Sequence, residues 1–157
     1  MLLLNYFIAT IFSFLGLIAG FLLVKIAPEE QKPLANHIVA FRYVIIAVIL
    51  LLYFYFFREL VSMVSVAILA ALLMFNLMGE NYNRMAINSA ALGAIFFLSS
   101  YKTEALAVSS SLIFLYFLLT GTKWQNFRSR NSARIIFFNL AFFLSSLLLY
   151  LITTSHS

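Results

Sequence analysis

The chain has 157 residues, of which 64% are hydrophobic, 17% aromatic and only 10% charged, and its mean hydropathy is +1.05. That leaves too little polar surface to cover a water-soluble globule of this size, so the chain needs lipid as its solvent. Its net charge of +5 comes from basic residues lying mostly between apolar stretches, a pattern that points to anionic membrane surfaces and not to nucleic acid.

Six apolar runs follow in chain order: 2 to 24, 43 to 57 (extendable back to about Pro33 across Arg42), 60 to 79, 85 to 101, 105 to 122 and 135 to 155. A hydrocarbon core about 30 Å thick takes about 20 helical residues. With the run at 43 extended back, most runs fit that length; 85 to 101 and 105 to 122, of 17 and 18 residues, reach only about 26 Å at 1.5 Å per residue, and Tyr101 and Lys102 can snorkel to make up the difference. Nothing alternates as barrel strands do, so the runs read as helices. Turns are expected at Arg58-Glu59 and at Lys102-Thr103-Glu104, with longer connections at Pro28 to Asn36, Glu80 to Arg84 and Lys123 to Arg134. The expected fold is an all-α polytopic transmembrane bundle of about six helices, a single integral membrane domain over 1–157.

The first run reads as a retained span. It has no positive n-region, it is longer than a signal core, and Lys25 and Pro28-Glu29-Glu30 follow it in place of a small-residue cleavage site.

If the N-terminus is outside, the inner connections carry Lys25, Lys32, Arg42, Arg84, Lys123, Arg128, Arg130 and Arg134, which is eight of the ten basic residues. Only Arg58 and Lys102 fall outside. Basic residues collect in short cytoplasmic loops, so both termini are expected outside, in a multi-pass protein of the plasma membrane.

Signs of chemistry are sparse. The five acids are Glu29, Glu30, Glu59, Glu80 and Glu104, all at or beyond span ends, whereas a proton-coupled pump normally needs a carboxylate or His at mid-membrane. There is no Cys, which excludes disulfides and thiolate metal sites. Met63, Met74, Met78 and Met85 form no convergent thioether set, and neither a metal nor a cofactor is expected.

Three groups stand out. Asn76, Glu80, Arg84 and Asn88 recur at spacings of four and form a polar junction, with a Glu80 to Arg84 ion pair possible on one helix face. His37 and Arg42, near the Glu29-Glu30 pair, form a candidate site for a lipid headgroup or other anion. Ala9, Ser13, Gly16 and Gly20 form a small-residue stripe of the kind that brings helix backbones close in lipid, and Leu17 lies off it. Ala86, Ser89, Ala90 and Gly93 repeat the stripe in shorter form.

The reading that fits best is a nonenzymatic helix-packing subunit or scaffold, with membrane lipids and other membrane subunits or itself as partners. The alternatives are an oligomeric carrier or channel for a small or lipid-like solute, and a lipid-modifying enzyme that uses the Glu29, Glu30, His37 and Arg42 face.

Overall fold

In the computed structural model of the chain, residues 3–57, 82–123 and 129–155 are described, and they form five helices. These are α1 (Leu3–Ile26), α2 (Pro28–Phe57), α3 (Tyr82–Ser99), α4 (Thr103–Lys123) and α5 (Ser129–Ser155). The apolar run 60 to 79, the expected turn at Arg58-Glu59, and Asn76 and Glu80 lie outside the described residues.

Four helices contain stretches long and apolar enough to cross a membrane: Leu4–Ile26, His37–Phe56, Thr103–Thr122 and Ala133–Thr153. The fifth, α3, is only 18 residues long and has Asn83, Arg84, Asn88 and Ser89 in its first half. Protein surrounds it more than lipid does, since Asn88, Ser89, Leu92, Ile95, Phe96, Phe97 and Ser99 are all buried.

Polarity is distributed in the sense opposite to that of a water-soluble protein. Leu4, Ile8, Phe41, Leu51, Phe137 and Leu144 stand exposed, while Thr10, Ser13, Asn88, Asn139 and Ser146 are buried. Lipid solvates the aliphatic exterior, and the interior satisfies hydroxyls and amides that hydrocarbon cannot.

Helix ends depart from the sequence expectation for local reasons. The stretch Pro28 to Asn36 is helix, not loop. Proline is suited to the first helical position because its missing N–H would be unpaired there anyway, and it disfavours helical geometry in the preceding residue. The break between α1 and α2 therefore narrows to Ala27, whose N–H still donates to the Leu23 carbonyl at 3.0 Å. Likewise Tyr82 to Arg84 and Ser129 to Arg134, expected in connections, open α3 and α5.

The turn expected at Lys102 to Glu104 falls at Ser100 to Lys102. Ser100, Tyr101 and Lys102 donate their N–H groups to the carbonyls of Phe97, Leu98 and Ser99, each three residues back, which tightens the end of α3. Leu106 N–H to the Lys102 carbonyl at 3.0 Å then opens α4.

The helices associate mainly as α1 with α4 and α3 with α5, with α2 laid against α4. Both tight pairs run parallel. Along α1 and α4, Ser13 meets Ser110, Gly16 meets Phe114 and Gly20 meets Leu118 and Gly121. Along α3 and α5, Ser89 meets Asn139 and Gly93 meets Phe142 and Ser145. By contrast α2 runs antiparallel to α4, since Arg42 meets Tyr116 while Phe56 meets Lys102. The pair α1 and α5 is also antiparallel, Tyr6 stacking on Tyr150 and Phe14 contacting Phe143.

The pairs join through an aromatic centre. Tyr6 packs on Phe96 at 5.3 Å between ring centroids, Phe96 on Phe142 at 5.6 Å, Phe142 on Phe117 at 5.2 Å and Phe117 on Phe14 at 5.8 Å. Tilted and edge-on pairs of this kind each add about 0.5–1.5 kcal/mol beyond area burial. They matter here because lipid tails leave little hydrophobic drive between helices.

Candidate functional site

Among the described residues three polar or close-packed seams lie within the bundle. The first is between α1 and α4, where the stripe Ala9, Ser13, Gly16 and Gly20 faces its partner helix. A Cβ placed on Gly16 would collide with the Phe114 carbonyl, and one on Gly20 with the Leu118 carbonyl while standing 2.9 Å from Gly121 Cα. Ser13 Oγ donates to the Ala9 carbonyl at 2.9 Å and reaches the Ser110 carbonyl at 3.2 Å. The N-terminal ends of the two helices splay into a largely apolar cleft of about 460 Å³, with Asn5, Thr103 and Ser110 among its walls. Leu17, which the spacing places off the stripe, is fully buried and belongs to the contact, its carbonyl against Gly121.

The second seam, between α3 and α5, holds the densest polar network. Ser89 Oγ donates to Asn139 Oδ1 at 2.6 Å, and Asn139 Nδ2 donates to the Ile135 carbonyl at 2.8 Å and to Met85 Sδ at 3.1 Å. One turn further, Ser145 Oγ donates to the Phe142 carbonyl at 3.0 Å and to the Ala90 carbonyl at 3.1 Å, where Gly93 lets the backbones approach. Asn139 stands outside the three groups that stand out in the sequence, where a lone amide in an apolar run reads as packing glue; its cross-helix partners Ser89 and Met85 lie 50 and 54 residues away.

The expected polar junction is only partly described. Arg84 is half-buried near the start of α3, Asn88 is buried one turn on, and Asn88 Oδ1 has no hydrogen-bond partner among the described residues. Asn76 and Glu80 lie outside the described residues, and so does the Glu80 to Arg84 pair.

The third seam joins α2 to α4. Arg42 Nη2 donates to Tyr116 Oη at 3.0 Å, and the guanidinium carbon stands 5.1 Å from the Tyr116 ring centroid. Tyr116 is buried, and Arg42 Nε is shut off from solvent with no acceptor among the described residues. His37 is not brought to this group. Five residues of helix turn it about 140° away from Arg42, and it stands exposed. Ile38, four residues before Arg42, is the residue on its face that is buried.

At the opposite end of α2, Lys102 Nζ donates to the Phe56 carbonyl at 2.7 Å, a cation at a helix C-terminus. Tyr55, Phe56, Lys102 and Glu104 line a shallow, mostly polar recess there. Among the described residues no three His, Asp or Glu side chains converge as metal ligands would.

No protein-family model matches the chain, and neither a curated protein nor a solved structure shows significant similarity to it.

Proposed function

We propose that this multi-pass membrane protein is a nonenzymatic subunit or scaffold that acts through helix packing, with membrane lipids and other membrane subunits or a second copy as partners. The observation that carries this reading is how polar groups at membrane depth are used. Thr10, Ser13, Ser99, Thr120 and Thr122 donate to carbonyls of their own helices, and Ser89, Asn139 and Ser145 bond across the α3 and α5 seam. A carrier or an enzyme presents such groups to its solute; here they bond to the backbone of their own helix or across a helix seam.

The same reading includes six spans. The C-terminal end of α2 lies beside Lys102, and so does the C-terminal end of α3, so the N-terminal end of α3 is at the other end of the bundle. Residues 58–81 join these two opposite ends, and the apolar run 60 to 79 has the length of one crossing. The resulting count puts the starts of α1 and α4 and the ends of α2, α3 and α5 together. Lys25, Arg84 and Arg134 at the opposite end support, by the positive-inside rule, both termini outside, and the membrane we propose is the plasma membrane.

Cross-linking in native membranes followed by purification in mild detergent tests the subunit role. A stoichiometric membrane partner or a defined homo-oligomer is the expected result. A lone monomer that conducts a solute in proteoliposomes favours the carrier reading instead.

A further inference from the structure

Among the described residues Arg42 is the cation set deepest in a candidate span, five residues into His37–Phe56, or about 7–8 Å along the axis. We infer that Arg42 and Tyr116 together hold a phosphate oxyanion at the end of the bundle where α1 gives way to α2.

A snorkelling arginine extends its whole guanidinium into the headgroup layer. Here the group is held inward: Nη2 is committed to Tyr116 Oη, the ring lies beneath the guanidinium, and Nε is enclosed with no acceptor among the described residues. Tyr116 is itself fixed by burial, so the orientation of the fork is set before any ligand arrives.

Among the described residues no carboxylate neutralises this charge. Of the described acids, Glu29 lies thirteen residues earlier on α2, about 20 Å along the axis, and Glu104 lies twelve residues before Tyr116, about 18 Å toward the other end. A partly desolvated cation with no counter-charge is costly at membrane depth and is stabilised by a bound anion.

The donor set suits phosphate. A guanidinium presents planar, forked N–H groups matched to phosphate oxygens, and Tyr116 Oη, which accepts from Arg42, retains its own proton to donate. Side chains on a helix tilt toward its N-terminus. For α2 that is the end where Lys25 and Arg134 stand exposed, which draws anions to the entrance. The phosphate comes either from an anionic lipid headgroup or from solution.

Thermal melting of the full-length protein in neutral detergent tests the assignment, with phosphatidylglycerol, diacylglycerol or inorganic phosphate titrated in. Phosphatidylglycerol is expected to raise the Tm of the wild type where diacylglycerol, which lacks the phosphate, does not. Arg42→Gln should need at least ten-fold more of the anion for the same rise, Tyr116→Phe an intermediate amount, and Lys102→Met, at the opposite end of the bundle, no more than the wild type. An equal rise with inorganic phosphate, still dependent on Arg42, assigns the site to a soluble anion. A wild-type response in Arg42→Gln, or no response to either anion, overturns the proposal. If Arg42→Gln does not fold, Arg42→Lys and Tyr116→Phe decide the matter, and wild-type responses in both overturn it.

Discussion

Gly20 of α1 and Gly121 of α4 face each other so closely that a Cβ built on Gly121 would stand 3.0 Å from Gly20 Cα and 2.5 Å from the Leu17 carbonyl. The obstructing atoms are backbone, which cannot swing aside as a side chain could. Gly121→Leu and Gly16→Leu are therefore expected to destabilise the bundle by about 1–3 kcal/mol or to prevent assembly. Neither α-helix should suffer, since Leu is a better helix former than Gly. Ile18→Phe on the exposed side of α1 is the matched control and should be close to neutral. Leu17, adjacent to the stripe, is fully buried and cannot serve as that control. Wild-type melting of both glycine variants would rule out this seam.

Asn139 should couple to Ser89. Ser89→Ala leaves Asn139 Oδ1 buried with one fewer donor, at an expected cost of about 1 kcal/mol. In Asn139→Leu the freed Ser89 hydroxyl can turn back to its own helix backbone. The double variant should then be no worse than Asn139→Leu alone, giving a coupling energy of about 1 kcal/mol in a double-mutant cycle read by unfolding in detergent. Strictly additive losses contradict the bond.

Single cysteines can be placed without background because the chain has none. Tyr55 near the end of α2 and Asn83 near the start of α3 are both exposed and stand at opposite ends of the bundle. In intact cells an impermeant thiol reagent should label Tyr55→Cys and spare Asn83→Cys. Labelling of both from the same side would remove the sixth crossing, and the reverse pattern would invert the topology.

Lys102→Met removes the cation from the last carbonyls of α2 while retaining much of the aliphatic stem. The bond is exposed, so the global cost should stay under about 1 kcal/mol. The local effect is the more sensitive readout. Amide exchange in the last turn of α2 should quicken several-fold while the α3 and α5 seam is unchanged, and unaltered exchange would show that Lys102 does not hold that end.

The helical character of the described segments and their need for lipid are legible in the sequence, because run length and composition are local properties that the thickness of a bilayer tests directly. Charge placement likewise foreshadows the grouping of Lys25, Arg84 and Arg134 at one end. Helix ends are less legible. Pro28 reads as a breaker in a list of residues, yet it starts a helix as readily as it stops one, and only the backbone shows which. Partners are the least legible of all. A stripe of small residues announces that some helix comes close, but nothing in the stripe specifies α4 or a parallel approach. His37 and Arg42 look like neighbours in sequence, and the helical rotation separates them and gives Arg42 to Tyr116. Ser89 and Asn139 meet for the same reason: in lipid the exterior of each helix is as apolar as much of its interior, so hydrophobicity marks no inward face. Which polar group meets which is decided by the three-dimensional packing of the bundle.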